Sequence, residues 1–135
     1  MAVSLNQSIG HGMMVLDLTG SATETNLGDF ANPEGVPLAI LDCIIYVTSP
    51  GLATCDLHVG VGAAATGVAQ NQLFDNFDVG AAADLAYRGV TFAVTQVAMT
   101  TPPIWSEALF LTFFTDTAFS TGFTAKVYVN YLRLE

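Results

Sequence analysis

Hydrophobic residues come along the chain in short runs, and clusters of Gly, Pro, Asn and Asp punctuate them. Short apolar runs bounded by turn-forming residues predict β-strands. The segments are Met13 to Leu18, Leu38 to Thr48, Thr54 to Val61, Tyr87 to Met99, Ala108 to Thr115 and Thr124 to Leu134, with a weaker one through Thr25 to Phe30. Val, Ile, Thr, Phe and Tyr dominate them, the residue types that a pleated, half-buried surface favours. Alternation is cleanest from Thr54 to Val61, where Cys55, Leu57, Val59 and Val61 face one way and Asp56, His58 and Gly60 the other. Two segments behave differently. Val127, Val129 and Tyr131 alternate with Tyr128, Asn130 and Leu132, and Leu109, Leu111 and Phe113 alternate with Phe110, Thr112 and Phe114. Strands with bulky groups on both faces need covering twice, once by the core and once by something outside it.

Helix is scarce. The spacing of Leu73, Phe74 and Phe77 predicts no more than a turn or two within Gln70 to Val79, and the Gly- and Ala-rich stretch from Val61 to Asn71 reads as a loop. Seven or eight short strands in 135 residues predict an all-β fold, a two-sheet β-sandwich with jelly-roll or Greek-key wiring. Residues 13–135 form that domain, and residues 1–12, which lack a strand pattern and contain Gly10 and Gly12, read as an N-terminal arm.

Charge sharpens the picture. Three Lys and Arg stand against 12 Asp and Glu, a net charge of −9, and charged residues are only 11% of the chain. Soluble domains carry about 25%. So few cations cannot neutralise a phosphate backbone or bind an anionic lipid surface, which excludes nucleic acid and membrane as partners. Hydrophobic content of 52% excludes a disordered chain. With little charge to wet the outside, part of the surface is expected to be covered by other subunits. No apolar run reaches the ~20 residues of a membrane span, and the first dozen residues lack the features of a signal peptide, so cytoplasmic synthesis is expected. In that compartment Cys43 and Cys55 are expected to stay thiols, although their positions on either side of a turn at Ser49-Pro50-Gly51 make a cross-strand disulfide conceivable.

Sites for chemistry are thin. Only His11 and His58 are present, and Asp56 with His58 on one strand face makes half a metal site at most. Asp75, Asn76, Asp78 and Asp84 offer oxygen ligands without the spacing of a calcium loop. No nucleophile elbow, phosphate-binding glycine loop or singled-out carboxylate pair occurs. The sequence thus predicts no enzyme, no metal and no cofactor. Contact features are easier to find. Thr100-Thr101-Pro102-Pro103-Ile104-Trp105 is a stiff, uncharged stretch ending in the single tryptophan, which either seals the sandwich or acts as an interface hot spot. Asn32 to Pro37 reads as a rigid connector.

Three stretches then carry a resemblance: EGVPLAILDCIIYVTSPGLATCDLHVGVG (Glu34 to Gly62), NQLFDNFDVG (Asn71 to Gly80) and GFTAKVYVNYLRLE (Gly122 to Glu135). Together with the arm, they resemble the small jelly-roll decoration, cement or head-stabilisation proteins of tailed bacteriophage capsids. The resemblance is one of style across most of the chain and not of a specific motif. It implies a virion structural protein on the capsid exterior, a homotrimer that clamps major capsid proteins, with an arm reaching onto a neighbour and no catalytic residues. Contacts are expected at His11, Pro102, Pro103, Trp105 and Tyr128. A tail or neck component of a virion shares this composition, and a carbohydrate-binding sandwich module would lean on Trp105 with Tyr87.

Overall fold

The computed structural model describes residues 10–63, 70–80, 83–88 and 102–134. They form nine strands: β1 (His11–Thr19), β2 (Asn26–Ala31), β3 (Leu38–Ser49), β4 (Asp56–Gly62), β5 (Phe74–Asp78), β6 (Ala86–Arg88), β7 (Ile104–Trp105), β8 (Phe110–Thr115) and β9 (Thr124–Arg133). There is no helix among the described residues, so none long and apolar enough to cross a membrane.

Two antiparallel sheets pack face to face. One has the order β1-β9-β3-β6, with β7 pairing β3 beyond the end of β6, and the other has the order β2-β8-β4-β5. Taking β6 and β7 as two pieces of one position, the pairs β1·β9, β2·β8, β3·β6/β7 and β4·β5 are those of a long hairpin rolled into a sandwich. That is jelly-roll wiring, as the spacing of apolar runs predicts. Long strands lie where the alternation is longest, and β3 and β9 pair over almost their whole length, from Leu38↔Arg133 to Ser49↔Thr124.

The inward residues of the two sheets interleave. Cys43, Ile45 and Val47 of β3 and Val127, Val129 and Tyr131 of β9 meet Leu57, Val59 and Val61 of β4 and Leu111 and Phe113 of β8, all buried. Aromatic rings meet edge to face, Phe30 on Phe113 within one sheet with centroids 5.6 Å apart and Phe77 on Tyr87 across the two sheets at 5.2 Å. Geometry of this kind adds about 0.5–1.5 kcal/mol per pair beyond area burial.

Three expectations are corrected. Gln70 to Val79 holds β5 and not a helical turn. Leu57 pairs with Phe77 but Val59 pairs with Phe74, so Asp75 and Asn76 together oppose His58 in a bulge, with Asn76 at φ 59°. The extra residue puts Phe74 and Phe77 three apart on one inward face, a spacing that imitates helix. Second, Ile104–Trp105 extends the β3 edge and is not a free loop. Third, β1 takes in His11 and Gly12, which pair with Leu132 and Tyr131, so the sheet begins inside the expected arm. The remainder of that arm, residues 1–9, lies outside the described residues, as does the expected strand beyond Arg88 up to Met99.

Candidate assembly surface

The register maps the outer face of the β1-β9-β3-β6 sheet row by row. Val15, Tyr128, Ile44 and Arg88 stand side by side across four strands. Asp17, Lys126, Tyr46 and Ala86 form the next row toward one end, and Met13, Asn130 and Asp42 the next toward the other. Met13 is 59% exposed and Val15 46%, with Leu41, at the bulge between Ile40 and Asp42, also in solvent. This is the doubly apolar sheet that the last strand predicts. Its inner residues fill the core, and its outer residues form an apolar band that nothing in the chain covers among the described residues.

The Lys, Arg and Asp side chains in these three rows pair off, and at the rim the Asp84 carboxylate accepts from the Tyr46 hydroxyl at 3.3 Å. Arg88 grips Asp42 through two nitrogens, with Nη2 2.6 Å from Oδ2 and Nε 2.9 Å from Oδ1. Lys126 Nζ donates to Asp17 Oδ1 at 2.8 Å. Each cation is held protonated by its carboxylate, which raises both the Arg88 and Lys126 pKa values. At the end of the sheet Arg133 donates to Glu34, whose other partner is the Tyr131 hydroxyl at 2.6 Å. These hydrogen bonds hold the Glu34 carboxyl below its usual range. All three Lys and Arg of the chain are therefore spent on this side of the molecule, one carboxylate each. The net charge of −9 falls on the remaining surfaces, including Asp29, Asp56, Asp75 and Asp78 on strands of the opposite sheet.

The residues singled out by sequence are placed as follows. Tyr128 lies in the centre of the neutral apolar face. His11 is exposed at the start of β1, where its carbonyl accepts from Arg133 Nη1 at 2.9 Å. Pro102 and Pro103 are half-buried at the edge, and the Pro103 carbonyl accepts from the Ile40 amide. Trp105 is not displayed. It is 0% exposed, its indole N–H donates to the Leu109 carbonyl at 3.0 Å, and it seals the sandwich. Asn32 fixes it from outside: its amide donates to the carbonyls of Trp105 and Val36 while its Oδ1 accepts from the amides of Glu34 and Gly35. Tyr87 turns inward onto Phe77, so it forms no exposed aromatic row with Trp105.

The candidate chemistry disperses. His58 pairs with Asp75 at 3.0 Å and not with Asp56, and no group of three or more potential metal ligands occurs among the described residues. Cys43 on β3 and Cys55, just before β4, are buried free thiols, so the disulfide is not formed. Burial, with Asp42 adjacent, pushes the Cys43 thiol up to about 12.

Sequence reasoning missed the Gln70–Gln72 crossing. A Cβ on Gly60 would lie 1.8 Å from Gln72 Oε1, and one on Gly62 2.7 Å from the Gln70 amide, so both strand glycines exist to let these side chains pass. Gln72 then pairs with both backbone groups of Val61, accepting from its N–H at 2.9 Å and donating to its C=O at 3.2 Å.

No family model matches the sequence, and no curated protein matches it. A solved chain from the capsid of Ralstonia phage GP4 is similar in fold, with a TM-score of 0.59 at 18% identity, covering 100% of this chain and 92% of that one.

Proposed function

We propose that this protein is a non-enzymatic structural component of a bacteriophage virion, a decoration or cement protein that assembles as a homotrimer and binds the major capsid protein on the capsid exterior. One observation carries the reading: the exposed apolar face of the β1-β9-β3-β6 sheet is charge-neutral on a chain whose net charge is −9. Two copies of such a chain repel one another except where their facing surfaces carry no net charge. A neutral band of Val15, Ile44 and Tyr128 meets that condition and has apolar area to bury. The likeness of fold to a chain of the Ralstonia phage GP4 capsid supports a virion setting. A trimer would hold a shell at several points, so weak single contacts would sum to firm attachment.

Incubation of purified protein with undecorated shells of its parent phage tests the reading. Stoichiometric binding that raises the shells' melting temperature is expected. Shells that neither bind the protein nor gain heat resistance would overturn it.

A further inference from the structure

Four connections meet at one end of the sandwich, described over residues 20–25, 50–55, 79–80 with 83–85, and 116–123. They are stitched to one another through the backbone. The Gly20 amide donates to the Phe123 carbonyl at 2.7 Å, and the Ser120 amide to the Ser21 carbonyl at 3.1 Å. The Leu52 amide donates to the Thr121 carbonyl at 2.9 Å, and the Gly51 amide to the Val79 carbonyl at 2.8 Å. Ser120 is wholly buried between the first and last of these connections, its hydroxyl donating to the Ser21 carbonyl and accepting from the Ser21 amide. The packing there admits only glycine at position 20, where a Cβ would lie 1.8 Å from the Ser120 carbonyl oxygen. A platform bonded in this way is preorganised, so docking it loses little loop entropy.

The platform presents large apolar side chains to solvent. Leu52 is 84% exposed and Phe119 63%, the two highest values among the exposed large hydrophobic residues, and Leu85 at 51% projects from the same end. By sequence these four connections contain no Lys, Arg or His, and their only ionisable carboxylates are Glu24, Asp84 and Asp116, all exposed. Leu52 and Phe119 have no role in the core. A sandwich that wholly buries Trp105, Phe113 and Phe123 has no structural need to hold a phenylalanine in water at a rigid loop tip.

We infer that this loop platform is the shell-facing end of the molecule, and that its partner is a protein surface with apolar pockets for Leu52 and Phe119 ringed by Lys or Arg side chains. The inference rests on the function proposed above and gives it a place and a chemistry. It also separates two contacts: the neutral sheet face meets like-charged copies, and the acidic-rimmed platform meets a surface of opposite sign.

The experiment compares three proteins on undecorated parental shells: wild type, the double variant Leu52→Ala/Phe119→Ala, and the triple variant Glu24→Gln/Asp84→Asn/Asp116→Asn. All five positions are exposed, and Asn tolerates the positive φ of 61° at position 84, so unchanged melting curves are expected and checked. Binding of the double variant is expected to be about tenfold or more weaker, the loss typical of buried apolar anchors. The triple variant is expected to bind more weakly at low salt and to show a flatter salt dependence. Wild-type affinity in the double variant, or tighter binding by the triple variant, would overturn the inference while leaving the proposed function intact. Loss of self-association in the double variant would reassign the platform to a second copy and likewise overturn it. A wild-type protein that ignores the shells would remove both.

Discussion

Asn32 shows how much one side chain can organise. Its four hydrogen bonds close the turn before β3, fasten it over Trp105 and set Glu34 beside Tyr131 and Arg133. The Glu34 carboxyl therefore titrates below its ordinary value of 4.5, chiefly through its hydrogen bond from Arg133. A carboxyl whose folded pKa is depressed binds its proton more weakly folded than unfolded. Its contribution to stability is thus present above the ordinary Glu value and is lost as pH falls through the folded one. Glu34→Gln should lower the melting temperature at neutral pH, and the two melting curves should converge in acid. Equal destabilisation at every pH would contradict the pairing. The cysteines make a second prediction at this scale. Burial holds Cys43 as an unreactive thiol, and Cys55 is nearly as buried, its thiol donating to the Thr117 carbonyl at 3.2 Å. A thiol-specific reagent should label neither in the folded protein and both after unfolding, without a reductant.

Among the elements, β5 is the one with the most specific device. Its bulge places Asp75 against His58 and requires the left-handed region at Asn76, which Asn and Gly tolerate and β-branched residues do not. Asn76→Gly should change stability by well under about 1 kcal/mol, whereas Asn76→Val should cost about 1–3 kcal/mol by urea denaturation. Near-equal stability of the two variants would mean that the bulge is not held as described. Much of the sandwich was legible in the sequence, because period-two alternation and turn residues act locally: β1, β3, β4, β8 and β9 all fall on their expected segments. The helical reading of β5 failed because a bulge converts period two into a spacing of three. Trp105 was ambiguous because nothing local reveals that a two-residue strand will pair with Leu38 and Ala39, with 67 positions between Leu38 and Trp105 and 65 between Ala39 and Ile104. The doubly apolar last strand did point to Tyr128, but the neutrality of its surroundings depends on ion pairs between distant residues. Lys126 and Asp17 are 109 positions apart, and Arg88 and Asp42 are 46 apart. Such pairing is set by register, which no short window of sequence displays.

At the scale of the whole molecule, the charges are sorted. Every Lys and Arg sits on or at the end of one sheet with a carboxylate against it, and most of the excess acid lies elsewhere, with Asp29, Asp56, Asp75 and Asp78 on strands of the other sheet and Glu24, Asp84 and Asp116 at the loop end. The sorting leaves one broad face that, under the proposed function, would let like-charged copies meet with little repulsion, and that face is also apolar. Salt should therefore have little effect on self-association, because the facing charges already cancel, while shell binding through the acidic-rimmed end should weaken as salt rises. Sedimentation velocity of the wild type beside Val15→Lys/Ile44→Lys tests the central claim most directly. The account predicts a trimer for the wild type and a folded monomer for the variant, whose new cations would stand unpaired in the middle of the contact. A wild-type protein that sediments as a monomer at high concentration, or a variant that still assembles, would contradict it.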